Sequence, residues 1–189
     1  MVEDSLAPLS REEGMLEQVG AAACDQAARA LSAFLGVTVL PVPPEEERGG
    51  RAPGEDIEVR VDLTGRVPAL LLVRWRRGDA HTLLRHLVRL WSGFPAEAGA
   101  QGETWSTLLE VANIVASSYL SFFSVHVDRS LIPSVPTLQM ASPLRRSRVG
   151  EGPVLTHRLR DSQGLCDTEL VFHPSPGFVT LFSRPLRGE

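Results

Sequence analysis

The sequence predicts an α/β protein made of two pseudo-symmetric α-β-β-β-type halves, with a largely antiparallel six-stranded sheet packed against long helices. Three observations carry that expectation. Two long segments, 13–35 and 104–123, space their apolar residues at the helical period. Each is followed by shorter apolar stretches separated by Gly- and Pro-rich turns, the pattern of strands. A shift of 93 residues lays the first half on the second: Glu13 falls on Ser106, Glu17 on Glu110, Gly20 on Asn113 and Pro43 on Pro136, while Leu16, Ala22, Ala23, Val39 and Val42 fall on Leu109, Val115, Ala116, Ile132 and Val135. One domain over 10–183 is therefore expected, with halves at about 10–94 and 102–183 and tails at 1–9 and 184–189.

Each element has its own local signal. Ser10 is a good N-cap, with Glu13 at the capping-box position and Gly36 as the stop of the first helix. The charged, Gly/Pro-rich stretch 45–56 reads as a loop. Ile57–Leu63 alternates like a half-buried strand, Thr64-Gly65-Arg66 turns, and Val67–Trp75 is a continuous apolar strand, together a hairpin. Asp79 opens a helix to about Trp91, with Leu83, Leu84, Leu87, Val88 and Trp91 on one face. After a link at 94–102, Thr104 caps the second long helix, and Val125–Leu138 alternates as a strand. A loop at 142–152 and strands at Pro153–Arg160, Leu165–His173 and Phe178–Ser183 close the second half.

Composition excludes several functions. An apolar content of 43% with 22% charged residues is ordinary for a globular chain. Neither a bilayer-spanning apolar run nor an N-terminal export signal is read, so a cytoplasmic protein without membrane partners is expected. The net charge is −4, with −8 over residues 1–63 and +4 over 64–189, and the arginines are scattered, so no nucleic-acid partner is expected. Arg145, Arg146 and Arg148 form the one basic cluster, either a solvated loop or an anion site. All 19 basic residues are arginine, which removes lysine catalysis. Cys24 and Cys166 are too few and too separated for a metal site or disulfide framework, and the five histidines lack metal-ligand spacing, so no metal site is assigned. Trp75, Trp91 and Trp105 flank apolar segments and are expected in the core.

The chemistry-bearing stretch is 106–136. On a helix, Ser106, Glu110 and Asn113 share a narrow polar stripe opposite Leu108, Val111, Ala112, Val115, Tyr119 and Phe122. A carboxylate and a carboxamide one turn apart thus point outward together. The spacing Ser106-x3-Glu110-x2-Asn113-x22-Pro136 resembles the signature of the CheC/CheX/FliY family of chemotaxis phosphatases, and E-V-A-N-I-V-A-S-S-Y-L resembles that family's motif helix. The resemblance implies a phosphatase whose substrate is the phosphorylated receiver domain of a CheY-type response regulator. It implies that Asn113 positions the attacking water and Glu110 pairs with a receiver lysine, with Ser106 a peripheral docking contact and Pro136 shaping the neighbouring strand. No cofactor of the chain's own is implied, since Mg²⁺ would arrive bound in the receiver.

These roles suit the residue types. An amide cannot serve as a base near neutral pH, but it can orient a nucleophile or stabilise charge. An aspartyl phosphate needs little more than an in-line water. In the first copy Gly20 stands where Asn is expected, leaving Glu17 as a relic or a weak second docking surface. The alternative is a non-catalytic interaction or scaffold module of a chemosensory or flagellar switch system. A chemotaxis deamidase or scaffold protein is a further candidate partner.

Overall fold

A computed structural model describes residues 10–43, 56–65, 67–92, 101–140 and 152–183. The loops expected at 45–56 and 142–152 and the link at 94–102 fall largely outside the described residues, as do both tails. Helix α1 (Arg11–Leu35) begins with a complete capping box, in which the Ser10 side chain accepts the Glu13 N–H (3.2 Å) and the Glu13 carboxylate accepts the Ser10 N–H (2.8 Å). Such a cap is worth about 0.5–2 kcal/mol. The helix ends at Gly36, whose φ of 69° is the left-handed stop that glycine makes cheaply.

The sheet contains β1 (Val39–Pro41), β2 (Asp56–Thr64), β3 (Ala69–Arg76), β4 (Ile132–Pro133), β5 (Thr137–Met140), β6 (Leu155–Asp161) and β7 (Asp167–Pro174). All described pairings are antiparallel, in the order β1-β6-β7-β3-β2-β4, and β5 also pairs with β2. Seven strands therefore fill six places. Between β4 and β5 the register slips by one residue: Leu63 faces Pro133, whereas Arg60 faces Thr137. Three residues, Ser134 to Pro136, oppose two of β2, which is a β-bulge. Pro136 has no N–H to offer a ladder and sits where none is required. The Ser134 N–H and hydroxyl hold the bulge to the Asp62 carbonyl (2.8 Å) and N–H (3.0 Å).

The strand order reads the same from either end when the halves are exchanged. Each half gives its first strand to the other's hairpin, β1 to β6 and β4/β5 to β2, while β3 and β7 pair at the centre. Helices α2 (Arg77–Ser92) and α3 (Gln101–His126) complete the layer that packs with α1 over one face of the sheet.

Four sequence expectations change. The helix α3 starts at Gln101, ahead of the expected cap at Thr104, and runs on to His126 into the expected strand. Phe178–Ser183 is not a strand: α4 (Pro176–Val179) and a 3-10 turn (Thr180–Ser183) occupy it, because Ser175 caps the Phe178 N–H (3.2 Å) and Pro176 stands at the first helical position. Trp91 is exposed and meets Phe34 edge-on at 5.4 Å, while Trp75 is fully buried, its indole N–H donating to Thr168 (2.8 Å). Finally, Trp105–His126 is long and apolar enough to cross a membrane by length and composition. Its Leu108, Val111, Val115, Tyr119 and Phe123 are buried in the core, and its outward stripe is polar, so fold packing accounts for its apolarity.

Candidate active site

The polar stripe of α3 lies where the sequence placed it. Ser106, Glu110, Asn113, Ser117 and Ser121 are all exposed, at successive intervals of three or four residues. Leu108, Val111, Ala112, Val115, Ala116, Tyr119, Leu120 and Phe123 face the core and fix the rotation of the helix. Neither Glu110 nor Asn113 makes a side-chain hydrogen bond or ion pair among the described residues. Three residues apart on a helix, the carboxylate and the carboxamide are neighbours on one surface. The structure thus brings Ser106, Glu110 and Asn113 together on one face, with Pro136 half-buried at the bulge of the edge strand.

The first half does not repeat this site in the register expected from sequence. The burial pattern of α1 matches α3 with a shift of 92 residues, one fewer than expected: Leu16, Val19, Gly20, Ala23, Cys24, Ala27, Ala28 and Leu31 answer to Leu108, Val111, Ala112, Val115, Ala116, Tyr119, Leu120 and Phe123. Two further features share that shift. Gly36 (φ 69°) and Asp128 (φ 48°) are both left-handed stops. Ser32 and Ser124 each accept the N–H seven residues on, from Val39 (2.9 Å) and Leu131 (3.1 Å).

This register corrects the reading of Gly20 as a lost asparagine. Gly20 is buried, and a Cβ there would lie 2.6 Å from Leu155 Cδ1 and 3.1 Å from His157 Nε2. It lets α1 approach β6, and its counterpart is Ala112. The surface positions answering to Ser106, Glu110 and Asn113 are Gly14, Gln18 and Ala21. Glu17 is exposed but answers to Leu109, so it is not the twin of Glu110, and Glu13 serves the helix cap.

Beneath α1 lies a buried polar pair that the sequence reading missed. The Tyr119 hydroxyl and His157 Nε2 have no hydrogen-bond partner among the described residues, and both lie within 4 Å of the Cβ position at Gly20. Burial lowers the His157 pKa to about 4 and pushes Tyr119 well up. The signal was present: His157 sits between Leu155 and Leu159 at an inward position of an alternating strand. Cys166 is buried, its thiol pushed up to about 12 by desolvation, and Cys24 is buried too, as expected for structural cysteines. Among the described residues no group of His, Cys, Asp and Glu is arranged to hold a metal ion.

No protein-family model and no curated protein sequence matches the chain. Solved structures do. FliY of Thermotoga maritima superposes with a TM-score of 0.69 at 17% identity, over 94% of this chain and 96% of that one. The chain has the fold of the CheC, CheX and FliY proteins. CheX in the CheX-CheY-BeF3-Mg²⁺ complex from Borrelia burgdorferi gives a TM-score of 0.58 at 18% identity, covering 81% of this chain and 95% of that one. The middle domain of FliM from H. pylori shares the CheC-type fold at 9% identity and a TM-score of 0.61, over 93% and 99% of the two chains.

Proposed function

We propose that the protein docks on the phosphorylated receiver domain of a CheY-type response regulator and hydrolyses its aspartyl phosphate. The observation that carries this reading is the outward placement of Glu110 and Asn113 as adjacent, unengaged side chains on a helix whose other face is locked in the core. Glu110 anchors a cation of the docked receiver, for which a lysine is the candidate. The Asn113 carboxamide accepts one hydrogen bond from a water and holds its oxygen in line with phosphorus. As the new P–O bond forms, the bond from phosphorus to the aspartyl oxygen breaks, releasing the carboxylate and inorganic phosphate. The loose transition state asks for position and charge stabilisation rather than a strong base. Mg²⁺ belongs to the receiver substrate, and such a substrate places the protein in the cytoplasm.

A likeness of fold to CheX, seen in complex with CheY, supports the choice of partner. The test is the lifetime of a phosphorylated receiver with and without the protein, repeated with Asn113→Ala. A lifetime unchanged by the wild-type protein would leave the second reading, a non-catalytic interaction module. That reading is favoured by the FliM-like fold and by Gln18 and Ala21 at the equivalent positions of α1. A chemotaxis deamidase or scaffold protein would then be the partner to seek.

A further inference from the structure

The bulge in the edge strand stands beside Asn113. The Ser124 hydroxyl accepts the Leu131 N–H (3.1 Å), which ties the start of the strand to the end of α3, and β5 then packs along the same helix. From that tie Val135 and Pro136 lie about 13 and 17 Å onward at the rise of a strand, and Asn113 lies about 17 Å back at the rise of a helix. Bulge and carboxamide are thus at one level. The first half leads to the same placement. Val42 and Ser134, at the 92-residue shift, each donate an N–H to the facing strand, to the carbonyls of Arg158 (2.7 Å) and Asp62 (2.8 Å). By that correspondence Ala21 answers to Asn113, Asp25 to Ser117 and Pro43 to Val135, and Ala21, Asp25 and Pro43 line one groove between helix and strand.

The bulge also decides where Val135 points. Pro133 pairs with the buried Leu63, so it lies on the helix-facing side of the sheet, and alternation from it puts Val135 on that side. Thr137 pairs with Arg60 on the opposite face, and counting back from it puts Pro136 on the helix-facing side as well. Val135 and Pro136 therefore stand together against Val61, the doubled position of the bulge. Pro136 is half-buried, whereas Val135 is 81% exposed, the highest value among the large apolar side chains described. A bulge gives up ladder pairing, and at a site it serves to re-aim a side chain.

We infer that the receiver surface docked on Glu110 and Asn113 extends onto the bulge, and that Val135 is an apolar docking residue that meets an aliphatic side chain beside the receiver's phosphoaspartate. The inference rests on the proposed docking of a receiver on α3. An interface of ordinary size covers roughly 800 Å² on each partner, a patch about 30 Å across, so a receiver that reaches Asn113 also covers a side chain at the same level of the neighbouring strand. Covered, Val135 gives up its water and adds affinity without touching the reacting atoms.

The test is steady-state dephosphorylation of a CheY-type receiver, phosphorylated with acetyl phosphate, over a range of receiver concentrations, together with the Kd of its beryllofluoride form. Val135→Ala raises KM and Kd about threefold to tenfold, as for the loss of two buried methyl groups, and leaves kcat unchanged. Val135→Asp raises them further, and Val135→Ile keeps the wild-type values. Ile132 is 64% exposed but precedes Pro133 by one residue and so lies on the opposite face of the sheet, and Ile132→Asp changes neither constant. Unchanged KM and Kd in Val135→Asp, an equal rise in Ile132→Asp, or a fall in kcat alone would overturn the docking role of Val135 and leave the phosphatase reading standing. A wild-type protein that neither binds the beryllofluoride form nor shortens the receiver's phosphorylated lifetime would overturn both. A protein that binds without hydrolysing decides the role of Val135 equally, through Kd. Unchanged thermal melts of the Val135 variants separate lost docking from lost fold.

Discussion

Helices α1 and α3 are two forms of one element, and they have diverged on opposite faces. On the buried face, α1 presents Gly20, Ala23, Ala27 and Ala28 where α3 presents Ala112, Val115, Tyr119 and Leu120. The small face of one admits the large face of the other, and Tyr119 and Phe123 carry an aromatic cluster with Phe172 and Phe178. On the exposed face, α3 keeps Glu110 and Asn113 while α1 has Gln18 and Ala21. A duplicated frame thus allows one copy to specialise in packing and the other in surface chemistry.

The largest expected effect concerns the polar atoms under α1. His157 faces inward on β6, as the fully buried Val59 does on β2. Its pKa is near 4 when folded and near 6.5 when unfolded. The folded imidazole stays neutral while the unfolded one takes up a proton, so stability falls as pH drops from about 6.5 to about 4 and loses nothing more from this group below that. The full linkage is about 3 kcal/mol. Urea unfolding at stepped pH should show this loss in the wild type, and His157→Val should lack that part of it; parallel curves would mean that the imidazole is solvated.

Next in size is Asn113→Ala. Turnover of a saturating phospho-receiver should fall by roughly 10²-fold, by analogy with removal of a single oxyanion donor. Affinity for a beryllofluoride-activated receiver should hold, and stability should not drop, since alanine is the better helix former. Lost affinity with full turnover at saturation would make Asn113 a docking residue instead.

A third expectation separates the two registers. Gly20→Ala gains helix propensity of about 1 kcal/mol but drives a Cβ into Leu155, and overpacking of this kind costs about 1–3 kcal/mol. Net destabilisation in urea melts is expected, and Gly20→Asn should be worse while creating no second site. If Gly20→Asn raised phosphatase activity, the register derived from burial would be wrong. The pair Gln18→Glu with Ala21→Asn, by contrast, transplants the two side chains to exposed positions and should fold normally.

The smallest effect is on the first-half carboxylate. Glu17→Ala should leave dephosphorylation within about twofold, while Glu110→Ala weakens receiver affinity about tenfold or more, the loss of one charge-assisted contact. Equal losses in the two variants, read from decay rates across receiver concentrations, would restore Glu17 as a working site.

Helix rotation, the capping box, the hairpin of β2 and β3 and the outward stripe of Ser106, Glu110 and Asn113 were determined by the sequence, because each depends on neighbours within a few turns or residues. The register in which the two halves match in burial was not legible: a shift of 93 pairs Glu17 with Glu110 and also lays one apolar series on another, and only burial, the paired stops Gly36 and Asp128, and the serine bonds at Ser32 and Ser124 revealed the shift of 92. The Ser175-Pro176 helix start was in the sequence but was passed over in favour of a strand, whereas the tertiary structure alone decided that the first strands would cross between halves and that Gly20 would lie against Leu155. Local rules fix which way a side chain points, but the approach of Gly20 to Tyr119 and Leu155 joins residues 99 and 135 positions apart, and no short-range pattern in a single sequence encodes which of two adjacent registers those contacts select.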